Sequence, residues 1–421
     1  MEDTLVKDST VTEERSPVKE EVRSALEEVL RMGAQKLLQA AIENEVTEYV
    51  ERYRRMTDFR GHRLAVRNGY LPERDIITGI GPVSVRQPRV DDRKLRGQGH
   101  VPFTSHILPR YLRRVPSIDN LIPVLYLKGI STGDFSEALS AILGPSAAGL
   151  SATNIVRLKA SWEADYREWN RRDLSDREYA YFWADGIYCN IRLDDERMCI
   201  LVIIGADKAG NKELVAVGDG YRESALSWKD LLLNLRRRGL KGGPRLSVAD
   251  GGLGFWAALD EVFPRSKEQR CWVHKTANIL DKLPKSMQSK AKAHIRDMYS
   301  AESKQSALAA YDHFVRVYQD KYPKAVACLE KDKDVLFTFY DFPATHWVHI
   351  RTTNPIESTF ATVRQRTRKT KGCGSRTATL TMVFKLVSEA QRRWKRLKGY
   401  DIIPMVLQNR LFIDGELQEA A

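Results

Sequence analysis

The alternation of apolar and polar positions divides the chain into three textures. From about residue 18 to 55, Val22, Leu26, Val29, Leu30, Leu37, Leu38, Ala41, Ile42 and Val46 recur every three or four places. That spacing predicts one long amphipathic helix, with Pro17 suited to its first turn and the stripe serving as a core or dimer face. Between about 60 and 116 the period is lost. "RNGYLPERDIITGIGPVSVRQPRVDDRKLRG" alternates short β-like runs with Gly, Pro, Asn and Asp, which predicts a small irregular module. Helical spacing returns over about 117–170, with start signals at Ser131, Thr132 and Ser151. Two helices joined by a Gly-rich link fit a helix-turn-helix and an ordinary helical hairpin equally well.

The second texture is strand-like. "YAYFWADGIYCNI", "CILVIIGADK" and "ELVAVGDG" are apolar runs separated by short polar turns. A helix ("ESALSWKDLLLNLRRRGL"), a strand ("RLSVAD"), a helix ("LGFWAALDEVF") and a strand ("QRCWVH") follow. The order β-β-β-α-β-α-β predicts a mixed α/β sheet covered by helices. Residues 275–345 read as a charged helical insertion, and 346–400 as helices again. The expected division is a disordered tail at 1–16, a helical region at 17–58, a basic β-containing module at 59–116 and a helical region at 117–172. A sheet core at 173–274 follows, then the insertion, the last part of the core at 346–400, and a tail at 401–421.

Charge changes this picture. The chain of 421 residues carries a formal +13, and the excess is concentrated. Residues 1–50 have 6 Lys/Arg against 12 Asp/Glu, 51–120 have 15 against 7, and 351–400 have 13 against 2. Two basic segments predict a polyanionic partner, nucleic acid first. No run of about 18 apolar residues occurs, so no membrane span is expected. Five scattered cysteines argue against a disulfide framework and for a reducing compartment.

Three acids stand out. Asp185 is expected to end the first strand of the sheet and Asp250 the fourth, each followed by glycine (Gly186, Gly251). If those strands are neighbours, two carboxylates meet at one edge, where a divalent cation would relieve their repulsion. A plain Asp-Gly turn is the competing reading. Glu357 lies in the first turn of a helix opened by Asn354-Pro355, where an acid is favoured anyway. Its neighbours Arg351, Arg364, Arg366, Arg368, Lys369 and Lys371 are all basic. Asp194, Asp195, Asp207 and Asp219 are explained as turn residues, and Trp228 and Trp256 as core. Cys271-x-x-His274 is half of a zinc site with no second half nearby. It fits either a buried structural pair or a histidine at the crevice.

These segments, with "RNGYLPER", "LYLKGIST", "WADGIY", "VADGGLGF", "FPRSKEQRCWVH" and "TTNPIESTFATVRQRTR" in this order, resemble the Mutator-type transposases of bacterial insertion sequences. The resemblance implies a ribonuclease-H-like α/β fold and an acidic triad at Asp185, Asp250 and Glu357. It implies two Mg²⁺ or Mn²⁺ ions held by these acids, and phosphoryl transfer that cuts and rejoins DNA. Double-stranded DNA, as terminal inverted repeats and target, would be the partner, along with a second copy of the chain in a dimer or larger synaptic assembly. His274, Lys275, Arg351, Arg364, Arg366, Arg368, Lys369, Lys371, Arg54, Arg55, Arg60 and Arg63 are the expected DNA contacts, and Cys271 a structural or supporting residue. Lys275 stands near where many members carry an arginine. The bacterial cytoplasm, at the nucleoid, is the implied location.

Overall fold

In the computed structural model, residues 17–95, 102–115, 117–118, 125, 127, 137, 152–191, 197–220, 222–369 and 375–418 are described. The 1–16 tail, the Ser131, Thr132 and Ser151 helix signals, and Asp194 and Asp195 lie outside them. The chain forms two compact units, Met1–Ile155 and Val156–Ala421.

The first unit is built on α1 (Pro17–Arg52) and four short strands, β1 (Val66–Tyr70), β2 (Arg74–Thr78), β3 (Gly81–Val85) and β4 (Pro88–Asp91). β1 pairs with β4 and β2 with β3, both antiparallel. Ile42 of α1 is buried with Ile76, Val83, Val85 and Leu108. Gln39 bonds both the N–H and the carbonyl of Arg86, and Gln35 donates to the Ser84 carbonyl. The long helix and the β module therefore share one core. The helix half facing that core is the later one. Leu26, Val29, Leu30 and Leu37 of the predicted stripe are exposed.

The second unit holds a five-stranded sheet in the order β7-β6-β5-β8-β9. Its strands are β5 (Tyr179–Asn190), β6 (Arg197–Asp207), β7 (Lys212–Gly220), β8 (Leu246–Ala249) and β9 (Lys267–Arg270). β5, β6 and β7 form an antiparallel meander, and β8 and β9 are added parallel to β5. This is the mixed α/β sheet that the apolar runs predict.

Two boundaries differ. The strand expected over "QRCWVH" ends at Arg270, and Cys271 to His274 instead open the helix Trp272–Leu280. β5 does not stop at Asp185 but continues to Asn190, because its antiparallel partner β6 runs on beside it, with Asp185 opposite Val202 and Asn190 opposite Arg197. β8 does stop, at Ala249, opposite Ala184. Asp185 is thus a mid-strand residue and Asp250 a strand-end residue. The register still sets them side by side.

Between the strands lie α2 (Ala152–Trp169), α3 (Ala225–Arg237), α4 (Leu253–Val262) and α5 (Trp272–Leu280). α3 and α4 close one face of the sheet. Trp228, Leu232, Leu235, Phe255, Trp256 and Leu259 join Phe182, Ala184, Leu201 and Ile203 in a common core, so both tryptophans are core residues. Tyr181, Trp183 and Asp185 alternate to the opposite face. There Tyr181 bonds His346, and the Trp183 indole donates to the His349 carbonyl.

The insertion contributes α6 (Lys285–Ser300), α7 (Lys304–Tyr318) and α8 (Pro323–Glu330). Its far end is fastened to the sheet edge. Buried Gln269 of β9 donates to the Leu336 carbonyl and accepts from Phe339 N–H, and the Trp272 indole also donates to Leu336. The chain then enters α9 (Asn354–Lys369), across β5 and β6, and α10 (Arg376–Gln391), against β7.

Candidate active site

Two helix starts meet beside Asp185. The Trp272 N–H at the head of α5 donates to the carbonyl of Arg351, just before α9. Thr353 N–H and Oγ1 both approach Cys271 Sγ, at 3.2 and 3.3 Å. Cys271 is the N-cap of α5, so His274 falls in the first turn of one helix and Glu357 in the first turn of the other. His274 Nε2 lies 3.0 Å from Glu357 Oε1. One ligand atom each from Asp185, His274 and Glu357 falls within a mutual 4.8 Å.

Asp250 follows β8 on the other side of Asp185. Its Oδ1 accepts the Gly252 N–H at 2.9 Å, the turn geometry that Asp-Gly-Gly predicts. Gly251 has φ +81°, and a Cβ there would meet the Arg270 side chain at 2.5 Å. Only glycine serves that turn.

The electrostatics follow from this crowding of acids. Asp185 is 8% exposed. Burial pushes its carboxyl up to about 7; Asp250 and Glu223 add to the push, while His274 and the Gly186 N–H hold it back. The hydrogen bond with Cys271 raises His274 to about 9 against the effect of its burial, with Asp185 and Glu357 assisting. Burial disfavours a Cys271 thiolate, yet His274 and Thr353 outweigh it and hold the thiol below its usual range. Glu357 Oε1 is buried and meets His274 Nε2 without an aligned hydrogen bond.

These features suit a divalent cation. A nine-tenths buried carboxylate, a second buried carboxylate oxygen and an imidazole lie within 4.8 Å of one another, and with Asp250 beside them the set is oxygen-rich, as Mg²⁺ or Mn²⁺ requires. Cys271 Sγ accepts from Thr353 and is hydrogen-bonded to His274. Among the described residues, the group that could hold a metal includes His274 but not Cys271.

The other predicted positions separate. Arg364 is exposed on α9 and lines a cavity of about 590 Å³ with Gly186, Tyr188, Asn190 and Arg197. Lys275 is 2% exposed, its ammonium held by Asp332 and the Cys328 carbonyl. Its charge faces the interior because α5 turns that side toward α8. Arg366 is buried at 3%, and Arg351 donates to the Tyr299 carbonyl at 2.7 Å. Of the basic positions on α9, only Arg364 is therefore described as exposed. The side chains of Arg368 and Lys369, and all of Lys371, lie outside the described residues. Arg54, Arg55, Arg60 and Arg63 are exposed on the first unit. Asp207 caps its own turn, and Asp219 pairs with Arg376.

Sequence reasoning missed Glu223. It sits between β7 and α3, with no motif to mark it. Burial and then Asp250 push its carboxyl up to about 7, with His274 opposing.

A family model described as "Transposase, Mutator family" matches residues 5–397. The chain belongs to that family. Over 302 residues it is 51% identical to the transposase for insertion sequence element IS6120 of Mycolicibacterium smegmatis, covering 72% of this chain and 93% of the relative. It is 51% identical over 286 residues to the transposase for IST2 of Acidithiobacillus ferrooxidans, covering 66% and 94%. The ISRM5 transposase of Rhizobium meliloti (strain 1021) is 27% identical over 385 residues, 91% of this chain and 90% of that one. For a Mutator-family transposase, the only general function the comparisons support is transposition. No helix among the described residues is long and apolar enough to cross a membrane.

Proposed function

We propose that this transposase binds the terminal inverted repeats of its insertion sequence, cleaves DNA strands at the element ends and joins the freed 3′-hydroxyl to target DNA. The observation that carries this reading is the convergence of Asp185, His274 and Glu357 within 4.8 Å, with Asp250 on the adjoining strand. We read the sheet, with its antiparallel meander and two added parallel strands, as ribonuclease-H-like.

Asp185, Asp250 and Glu357 are the residues that would hold two divalent ions. When bound, such ions neutralise charge on the scissile phosphate and lower the pKa of the attacking water or 3′-hydroxyl. The protein's own residues do the rest. Asp185 is fixed within β5 by its pairing opposite Val202 of β6, so its carboxylate stays aimed at one point. His274, braced by Cys271 and Thr353, fixes the rotamer of Glu357. Gly251 permits the turn that places Asp250, and Gly252 adds no side chain of its own beside that carboxylate. Arg364 and Arg197 face the cavity beyond Asp185 and would grip phosphates, while exposed Tyr188 offers a ring for a base to stack on. Arg54, Arg55, Arg60 and Arg63 would serve end recognition in the first unit. Holding two ends together requires at least two copies of the chain.

The test is Asp185→Asn with an element-end duplex and Mg²⁺ or Mn²⁺. Cleavage and joining of pre-cut ends are expected to disappear while end binding stays within about twofold. Cleavage at the wild-type rate would refute the assignment. Cleavage without joining in the wild-type protein would make it a nuclease instead.

A further inference from the structure

We propose that Glu223 is a fourth carboxylate of the ion pocket and ligates the divalent ion on the Asp250 side. This rests on the reading of Asp185, Asp250 and Glu357 as ion ligands.

The backbone around Glu223 is set for one direction. Arg222, just before it, has φ +61°, a left-handed conformation costly for a residue with a Cβ and found where the surroundings enforce it. Ser224, just after it, caps α3 by accepting the Ser227 N–H. Glu223 is held between the two and leans over three glycines. A Cβ on Gly186 would lie 2.6 Å from Glu223 Oε1, and one on Gly254 would lie 2.4 Å from the Glu223 carbonyl. A Cβ on Gly252 would lie 3.7 Å from Glu223 Oε2 and 3.3 Å from Asp250 Oδ1. Those two oxygens are therefore within about 7 Å of each other. Gly186 directly follows Asp185 in β5, so Glu223 reaches the strand one residue from that aspartate.

That bound admits one ion between the two oxygens. Ligand oxygens ~2.1 Å from one Mg²⁺ or Mn²⁺ lie up to roughly 4 Å apart, inside the bound, and a second ion ~4 Å away would meet Glu357. Asp185 would stand between the two ions, with Glu357 on one side and Asp250 and Glu223 on the other. Four carboxylates balance two divalent charges. An acid beside a helix start is ordinary. The dipole does not account for a half-buried carboxylate turned onto glycines. Among the described residues no hydrogen bond or ion pair reaches it. Asp185, nine-tenths buried, receives one hydrogen bond, from its own neighbour. Glu357 Oε1 has only His274 at 3.0 Å. One imidazole faces all three carboxylates, so negative charge outnumbers positive.

The test uses the full chain and Mn²⁺ alone, with free Mn²⁺ followed by electron paramagnetic resonance and thermal unfolding in EDTA or Mn²⁺. Wild type is expected to bind two ions. Glu223→Gln should weaken one of them by at least about tenfold and reduce the Mn²⁺-induced rise in Tm. In EDTA its Tm should equal or exceed wild type, since a buried charge has gone. A purely structural Glu223 would move the EDTA Tm and leave Mn²⁺ binding alone, and that result overturns the proposal. Asp185→Asn separates the two failures. If it loses Mn²⁺ while Glu223→Gln keeps both ions, only the Glu223 assignment falls. If it keeps Mn²⁺, the reading of the acids falls first. Should Glu223→Gln not fold, Glu223→Asp, shorter by one methylene, is read in the same way.

Discussion

Asp185 illustrates how little freedom a site residue has here. Its neighbours on the strand are core residues, its own oxygen takes the next N–H, and Cys271 holds the opposing histidine through a thiol that is itself fully buried. The brace is the residue to test. Cys271→Ala would leave the Thr353 N–H and hydroxyl without their acceptor in a buried setting, at a cost of about 1–3 kcal/mol. It would also free the His274 ring. The expected outcome is lower stability in urea unfolding by that amount, together with a Mn²⁺ affinity reduced by roughly tenfold, the usual effect of losing a group that orients a ligand. Cys271→Ser, which restores an acceptor, should recover most of both. Equal losses in Ala and Ser variants would show that the thiol itself matters, not its hydrogen bonds.

At the scale of elements, the junction between β5 and the segments covering it is held by histidines kept neutral. His349 lies in the short helix Trp347–Ile350. Its carbonyl accepts from the Trp183 indole and its Nε2 from the Lys398 N–H. Burial pushes its pKa down to about 4, with Lys212, His346 and Lys398 adding repulsion. An unfolded chain protonates this ring near pH 6.5, and the folded chain resists until about 4. Between those values the unfolded state binds the extra proton, so His349 makes stability fall as pH falls. Asp185 and Glu223, raised to about 7, act in the opposite sense over the same range. The measurable quantity is therefore a difference. The stability of His349→Gln minus that of wild type should rise as pH drops from 6.5 to 4. A constant difference would mean that the ring is already charged in the folded state.

For the whole molecule the relevant property is charge. Exposed arginines occur on the first unit at Arg54, Arg55, Arg60 and Arg63, and on the second at Arg197 and Arg364. Binding to DNA through phosphate contacts releases counterions, so log K should fall steeply and linearly with log salt, by about 0.9 per phosphate neutralised. Arg364→Ala should lower that slope by about one. Lys275→Ala should leave it unchanged, because that ammonium is already paired inside the fold, and should instead reduce stability. A flat salt dependence for the wild type would remove the phosphate-grip reading for both units.

The amino-acid order alone determined most element types, the mixed sheet, the family and the three acids worth following. Those are local properties. A strand repeats every two residues and a helix every 3.6, and a glycine after an acid marks a turn wherever it occurs. Tertiary structure decided everything that depends on which side chain meets which. β6 carries β5 past Asp185, so the acid lies within a strand and not at its end. α5 turns Lys275 inward and His274 toward Glu357, although the two are adjacent in the chain. Glu223, unmarked by any pattern, arrives beside Asp250 from another connection. Register and helix approach set those meetings, and neither is encoded within the few residues that a periodicity can read.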